Sequence, residues 1–268
     1  RLSKAHARLY YLREDLSEGR LARAREALER AERLAPDAPE VRLASGFYHF
    51  WGNRDADKAF ESFALAAREL PDNAEVAGAR AELLRMRGRY TEALETYRNA
   101  FELSPRDADL AEEVAITSWL LRRHEEALRL WEQSARLDPR CSVVWRNLGL
   151  GYFNVLRSPA KARAAYDRAF RANPADARLL YERDQLWKRV GESPGARLRA
   201  LERHPGLVRQ RDDLSLELCE LYNQTGQPGR ALELIRSRRF QPWEGGEGGP
   251  LGQHVRCHLA LGREALHG

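Results

Sequence analysis

Two histidines and a cysteine near the end of the chain have a spacing that could bind a metal ion. In "HVRCH", His254 and His258 are four residues apart, so a helix would place both imidazoles on one face. A structural zinc site needs four ligands, however, and Cys141 and Cys219 lie in no paired motif. Cys219 and Cys257 fall where small buried residues are expected. We therefore predict no metal site.

A glycine-rich stretch, "WEGGEGGP" at residues 243–250, is the one segment that resembles a phosphate-binding loop in composition. It lacks a following Lys-Ser or Lys-Thr, and we expect no helix behind it to direct an N-terminus at a phosphate. Its turn-forming residues predict a flexible connection instead. The G-x-S-x-G and H-E-x-x-H motifs are also absent from the sequence. We predict no catalytic residue, no cofactor and no enzymatic activity.

Composition narrows the classes of protein further. Of 268 residues, 43% are hydrophobic and 32% charged, and no apolar run approaches the roughly 20 residues that cross a membrane. The net charge is +5, but basic and acidic residues alternate, which favours paired helix faces over a nucleic-acid stripe. Three widely spaced cysteines indicate a reducing, cytoplasmic setting. The start, "RLSKAHARLY", has neither an initiator Met nor a signal peptide, so we expect a fragment of a longer protein.

The elements that would position any binding residues recur along the chain. Similar phrases end in proline every 34 or 35 residues, at Pro36, Pro71, Pro105, Pro139 and Pro174. Upstream of these prolines lies a small residue followed four positions later by a bulky one. The pairs are Ala59/Phe63, Ala93/Tyr97, Ala127/Trp131 and Ala162/Tyr166. Each unit is thus predicted to be helix, tight turn, helix and proline, and units that cannot bury an apolar face alone stack on one another.

This pattern resembles the tetratricopeptide repeat (TPR) over almost the whole chain. The match is strongest in "WRNLGLGYFNVLRSPAKARAAYDRAFRANP", at Trp145, Leu148, Gly149, Tyr152, Ala162, Tyr166, Ala169 and Pro174. The resemblance implies an all-α, right-handed superhelical solenoid of about seven and a half hairpins, in which Gly149 lets the second helix approach closely. Repeats are expected at 5–39, 40–73, 74–107, 108–141, 142–176, 177–211 and 212–245. Residues 1–245 would form the solenoid, and 246–268 the start of a further, truncated repeat.

The phrase "RRFQPWEGGEGG" resembles a narrower group. It is similar to the TPR region of large bacterial proteins that carry a β-rich, mutarotase-like domain ahead of the repeats. This resemblance implies carbohydrate metabolism for the parent protein and an accessory role for the present chain. The resemblance implies no catalytic residue in this sequence.

The TPR resemblance also implies a concave groove formed by the first helix of each hairpin. Several aromatic residues lie one position off the packing stripe of these helices and are predicted to line that groove, with partial burial as the alternative. They are Tyr48, Trp51, Trp119, Phe153 and Tyr181.

Polar residues on the same helices divide by charge. The third and fourth repeats offer Glu75, Glu82, Asp109, Glu112 and Glu113. The fifth and sixth offer Arg146, Asn147, Arg178, Gln185, Lys188 and Arg189. An acidic half followed by a basic half would suit an extended ligand with opposite charges at its ends, whereas a solvated helix face is the alternative. Arg146-Asn147 loosely resembles the carboxylate clamp of peptide-binding TPRs, but the full clamp is not matched.

Two arginines stand where the repeat expects an apolar residue. Arg80 and Arg183 occupy the place of Leu148, and Asp184 occupies the place of Gly149. A buried guanidinium is costly unless it reaches water or a carboxylate. We expect Arg183 to pair with a neighbouring repeat, at Glu217 or Asp213, and the sixth repeat to be a polar joint.

The function predicted from these features is non-catalytic binding of a protein or peptide segment in the concave groove. The parent protein's own N-terminal domain is a second possible partner, while a membrane is excluded and nucleic acid is disfavoured. Two alternatives stay open: an accessory solenoid of a carbohydrate-active enzyme, and an RNA-binding helical-repeat protein. The RNA alternative predicts a basic stripe along the groove.

Overall fold

The structure, a computed structural model, describes residues 1–11, 17–241 and 249–267. These residues are helical with short turns and contain no strand. The chain divides into two compact units, unit 1 at 1–139 and unit 2 at 140–268. The predicted all-α fold of helix hairpins is confirmed. A single continuous domain over residues 1–245 stays a prediction.

Unit 1 is built from four consecutive helix pairs. In chain order its α-helices are α1 Leu2–Tyr11, α2 Glu18–Leu34, α3 Pro39–Phe47, α4 Ala56–Glu69, α5 Ala74–Met86, α6 Tyr90–Leu103, α7 Ala108–Leu120 and α8 His124–Leu137. A π-helical turn, Tyr48–Gly52, continues α3. Each pair packs internally, and each of the first three packs against the pair that follows it.

Unit 2 begins with one regular pair, and the helices that follow depart from that pattern. Its α-helices are α9 Ser142–Asn154, α10 Pro159–Ala172, α11 Ala177–Arg189, α12 Pro194–Glu202, α13 Pro205–Gln210, α14 Asp212–Gln224, α15 Pro228–Arg236 and α16 Pro250–His267. The helix α12 has nine residues where α10 has fourteen, and the short helix α13 follows it. Most of "WEGGEGGP" lies outside the described residues. The expectation that no helix follows that stretch is wrong, because α16 begins at Pro250.

Local chemistry explains where the first helices of several pairs begin. The side chains of Asn73, Asp107 and Asp176 accept hydrogen bonds from backbone N–H groups two and three residues ahead. These N-caps satisfy donors that would otherwise lack partners at the helix starts. The turn inside the α5/α6 pair uses Gly88 at φ +75°, and the α7/α8 turn places Arg122 at φ +62°. Glycine adopts this left-handed conformation without steric cost, and arginine does not.

The predicted small-and-bulky pairs form the contacts inside the hairpins. Ala59, Ala93, Ala127 and Ala162 are fully buried, and their bulky partners are all buried as well. Gly149 lies against the ring of Tyr166, where an added Cβ would be 2.5 Å from Cδ2. This close approach confirms the interpretation of Gly149 as the residue that admits the second helix.

The two misplaced arginines behave differently from each other. Arg80 reaches the surface and is exposed. Arg183 has a side chain 12% exposed, with Nη1 3.9 Å from Asp167 Oδ1. Its carboxylate therefore comes from the preceding repeat, and the predicted partners Glu217 and Asp213 are wrong.

The residue after Arg183 explains the irregular sixth repeat. Asp184 is buried, and Arg197 of α12 donates two hydrogen bonds to it. Glu217 of α14 accepts a further bond from Arg197 at 2.5 Å. The sixth repeat is thus a polar joint as predicted, but its central cation is Arg197 and not Arg183.

Candidate functional site

Unit 1 contains a cavity of about 590 Å³ between the first helices of its pairs. We call it the acidic groove. Its lining residues are Lys4, Arg8, Phe47, Trp51, Asn73, Ala74, Glu75, Gly78, Ala79, Glu82, Tyr97, Ser104, Asp107, Asp109, Leu110 and Glu113. Helices α1, α5 and α7 supply most of these residues. The groove thus combines an apolar surface with several carboxylates, as ligand-binding clefts do.

Two glutamates of the acidic groove lie on consecutive first helices. Glu82 of α5 and Glu113 of α7 repel each other, while Arg85 Nη1 lies 2.7 Å from Glu113 Oε2. The Tyr97 side chain is a further hydrogen-bond partner of Glu113. Burial, with the charge of Glu113, raises the pKa of Glu82 to about 7. Burial also raises the pKa of Glu113. The two carboxylates share one guanidinium, which leaves an excess of negative charge.

Aromatic rings form the wall of the groove beside the π-helical turn. Trp51 stacks on Phe47 with ring centroids 4.3 Å apart, and Trp51 is only 8% exposed. Trp51 is thus mostly buried, as the partial-burial alternative predicts, and part of it lines the cavity. In the turn, Asn53 N donates to Tyr48 O at 3.2 Å, five residues back. Tyr48 is half-buried against the same core. Turns of this kind occur often at functional sites.

The rim of the groove holds two cations that the sequence interpretation missed. Lys4 Nζ pairs with Glu75 Oε1 and lies 5.1 Å from the centroid of the Phe47 ring. Arg8 Nη2 lies 3.5 Å from Asp109 Oδ2. The charge pattern of α1 could not predict these two ion pairs, because the contacts of α1 with the third and fourth helix pairs depend on how the pairs stack.

Two predicted groove residues of unit 1 do not line this cavity. Trp119 packs within its own hairpin, with its ring centroid 5.3 Å from Trp131 and 4.4 Å from His124. This packing matches the partial-burial alternative, and its role as a groove aromatic stays a prediction. Glu112 is half-buried on α7 and also lies outside the cavity lining.

In unit 2 the predicted basic residues are mostly paired with carboxylates. Arg146 donates to Glu182 through Nε at 2.5 Å and Nη2 at 2.7 Å. Arg178 Nε donates to Glu182 Oε1 at 2.8 Å, and Asn147 Oδ1 accepts from Arg146 at 3.4 Å. These bonds lower the pKa of Glu182 despite its partial burial. Sequence reasoning missed Glu182, although its i+4 spacing from Arg178 was a usable signal.

A second carboxylate neutralises the next predicted pair. Gln185 Nε2 donates to Glu217 Oε2 at 3.0 Å, and Lys188 Nζ lies 3.0 Å from Glu217 Oε1. Glu217 is the same carboxylate that pairs with Arg197. Glu182 and Glu217 thus pair with three of the cations in the predicted basic half of the groove and reduce its positive charge.

Two predicted aromatics lie at smaller cavities of unit 2. Phe153 and Tyr181 line a cavity of about 280 Å³ together with Arg146 and Arg189. Tyr181 also borders a cavity of about 380 Å³. Both rings are half-buried, so each is partly packed and partly exposed to solvent. The first cavity is lined by two arginines and one carboxylate, and the second by two cations and three carboxylates. Neither has the excess of three carboxylates found in the acidic groove.

The candidate metal pair is close together on α16. His254 Nε2 and His258 Nε2 are 3.0 Å apart, as their spacing predicts. Among the described residues no group of three or more His, Cys, Asp or Glu side chains could hold a metal ion. No helix in the described ranges is long and apolar enough to cross a bilayer.

Comparison with known proteins identifies the repeats. The family model described as "Tetratricopeptide repeat" matches residues 47–108 and 78–142. The structure from a study of Pseudomonas aeruginosa pilF has a TM-score of 0.63 at 19% identity, covering 75% of this chain and 90% of that one. YrrB, described as a TPR protein with an unusual peptide-binding site, has a TM-score of 0.55 at 18% identity, covering 77% of this chain and 99% of that one. These likenesses establish the fold.

A curated relative matches over a shorter stretch. Protein O-mannosyl-transferase TMTC1 of Mus musculus is 32% identical over 108 residues, 37% of this chain. The match covers only 11% of the length of that relative. TPR repeats are therefore confirmed in this chain, together with the all-α repeat fold.

Proposed function

We propose that this chain is a non-catalytic scaffold that binds a protein or peptide segment in the acidic groove of unit 1. The observation that carries the proposal is the groove itself: about 590 Å³, with aromatic and carboxylate side chains on successive first helices. A segment lying across those helices would bury apolar groups and meet polar groups that set its orientation. The peptide-binding site named for YrrB supports the same use of the fold.

The predicted contact residues divide into primary contacts in the acidic groove and secondary contacts in unit 2. Glu82 and the exposed edge of Trp51 belong to the groove, and Tyr48 supports its wall. Secondary contacts are proposed in unit 2, where the candidates are Arg146, Asn147, Phe153, Arg178, Tyr181, Gln185 and Lys188. Glu112 stays a prediction.

The setting of the chain is proposed from its sequence. It would belong to a longer bacterial protein and work in the cytoplasm, and the mutarotase-like neighbour remains part of that proposal. An accessory role beside a carbohydrate-active domain is compatible with partner binding in the groove. The RNA-binding alternative has less support, because the groove carboxylates would repel a phosphate backbone.

A substitution that fills the groove with an uncharged side chain tests the proposal without changing the charge of the groove. Ala74 lines the groove at the start of α5, so Ala74→Trp would fill it, whereas Thr91→Trp adds the same ring on an exposed position of α6. Peptides selected from a random display library on the wild-type chain should lose binding to Ala74→Trp and keep binding to Thr91→Trp. If both variants, folded by circular dichroism, bind the selected peptides equally, the groove is not the binding site.

A further inference from the structure

The acidic groove has a charge opposite to that of the whole protein. Five of its lining residues are carboxylates and two are cations, whereas the chain carries a net charge of +5. The carboxylates are Glu75, Glu82, Asp107, Asp109 and Glu113. A groove lined by one sign of charge between low-dielectric walls focuses the local field. A cationic ligand would therefore be attracted to this groove even though the protein as a whole repels it.

The floor of the groove has an incomplete set of charge partners. Glu82 and Glu113 face the same cavity, and Arg85 pairs with Glu113. Tyr97 is a second hydrogen-bond partner of Glu113, whereas no ion pair of Glu82 is seen among the described residues. A second cation between the two glutamates would reduce their repulsion and pair with Glu82.

The aromatic wall suits the same kind of group. Phe47, Trp51 and Tyr97 border the cavity beside the carboxylates. Aromatic faces attract guanidinium and ammonium groups, and they also pack against the methylene stems of Arg and Lys. A neutral or acidic side chain would gain less from this combination of rings and carboxylates.

The protein already uses this chemistry at the rim. Lys4 pairs with Glu75 and lies over the Phe47 ring, and Arg8 approaches Asp109. Both cations come from α1, and the Arg8 contact is largely solvent-exposed. The groove therefore accepts Lys and Arg side chains in the structure itself, from a neighbouring helix.

We infer that the acidic groove binds a basic segment of a partner protein and places one Arg or Lys side chain between Glu82 and Glu113. This inference rests on the proposed function and adds the chemical class of the ligand to it. Arg fits the site better than Lys, because its planar fork can donate to both carboxylates at once.

Defined peptides test the inference. Fluorescence anisotropy would compare a short labelled peptide that alternates Arg with Ser against counterparts in which Glu or Ser replaces every Arg. The Arg peptide should bind the wild-type chain at least about tenfold more tightly than either counterpart. Added salt should weaken that binding, since the attraction is between charges near the surface.

Paired variants locate the binding within the groove. Glu82→Gln/Glu113→Gln should weaken the Arg peptide by about tenfold or more, the factor expected for one lost charged contact. Glu95→Gln, which removes an exposed carboxylate of α6, should leave the affinity unchanged. Arg8→Gln should instead tighten binding, because it frees Asp109 at the rim. A gain of affinity cannot arise from misfolding, so this variant guards against an unstable double mutant.

The outcomes separate the inference from the proposed function. Equal binding of the Arg and Glu peptides, or unchanged Arg-peptide binding by both Glu82→Gln/Glu113→Gln and Arg8→Gln, would overturn the inference. Preferential binding of a labelled single-stranded RNA would overturn it as well. If the selected peptides are neutral or acidic but are still blocked by Ala74→Trp, the groove binds peptides and only the basic class is wrong. If Ala74→Trp blocks no peptide, the proposed function itself fails.

Discussion

Arg197 and Asp184 form a doubly hydrogen-bonded ion pair inside unit 2. Arg197 Nε donates to Asp184 Oδ1 at 3.0 Å and Nη2 donates to Oδ2 at 2.6 Å, and both residues are 2% exposed. Asp184 stands where the fifth repeat has Gly149, and Arg197 stands where it has Ala162. An ionic contact between the first and second helices thus replaces close apolar packing, and α12 is shorter than its counterpart.

Removing only one partner of this ion pair is expected to lower the free energy of unfolding far more than replacing both partners with apolar residues. Arg197→Met should lower the free energy of unfolding by about 3–5 kcal/mol, because it leaves the Asp184 carboxylate buried without its partner. Asp184→Leu/Arg197→Met should lose clearly less than the two single variants together. Urea unfolding of the four proteins of this cycle measures the difference. Additive losses would show that the two side chains do not act as a pair.

Gly149 is expected to tolerate no larger residue. A Cβ at this position would lie 2.5 Å from Tyr166 Cδ2, so Gly149→Ala should destabilise the protein by about 1–3 kcal/mol, and Gly149→Leu by more. Gly229 of α15 is the matched control, since nothing lies within 4 Å of its added Cβ. Gly229→Ala should be neutral or stabilising by up to about 1 kcal/mol. Thermal unfolding that ranks the two Ala variants alike would contradict the close approach of α9 and α10.

Arg183 is expected to act through stacking more than through its ion pair. Its guanidinium carbon lies 4.4 Å from the Phe170 ring centroid and 4.9 Å from that of Trp187, whereas Asp167 is 3.9 Å away. Arg183→Ala should cost about 2 kcal/mol through lost cation–π contacts and lost packing of the stem. Asp167→Asn should cost less than about 1 kcal/mol. Equal losses in denaturant unfolding would assign the stabilisation to the ion pair instead.

The helix pairs could be predicted from the sequence because their signals are local. A small residue four positions before a bulky one, and a proline every 34 or 35 residues, both act within a hairpin or its turn. The close contact of Gly149 with Tyr166 follows from the same pattern. The π-helical turn at Tyr48–Gly52 could not be predicted, since its five-residue hydrogen bond has no sequence signature of its own.

The candidate site was predicted less well because it depends on contacts between repeats. Glu82 lies on a first helix and lines a cavity. The groove positions of Trp51 and Trp119 were harder to predict, since a small rotation of a helix decides whether an aromatic ring faces the core or the groove. Lys4 and Glu182 were missed because their partners lie in other repeats, at Glu75 and Arg146. Spacing within one helix indicates the Arg178–Glu182 pair, but it carries no information on partners in another repeat.

The stability of the protein is expected to depend on pH through the Glu82 carboxyl. Burial and the charge of Glu113 raise the pKa of Glu82 to about 7 in the folded protein, above its ordinary value of 4.5. The folded state therefore binds the Glu82 proton more tightly than the unfolded state does. Below the ordinary pKa of 4.5, Glu82 is protonated in both the folded and the unfolded state and does not change the free energy of unfolding. As pH rises from 4.5 to about 7, the carboxyl ionises more readily in the unfolded state, so the free energy of unfolding falls.

Glu82→Gln isolates this effect, because the amide cannot ionise. The variant should be more stable than the wild type by on the order of 2 kcal/mol at about pH 8, and the difference should shrink as pH falls through 7 toward 4.5. Glu95→Gln, on the exposed face of α6, should give no such pH-dependent gain. Urea midpoints measured across this range provide the test. A gain for Glu82→Gln that is the same at both ends of the range would mean that its carboxylate is not held in a desolvated, acidic environment, which would remove one support for a cation-binding groove.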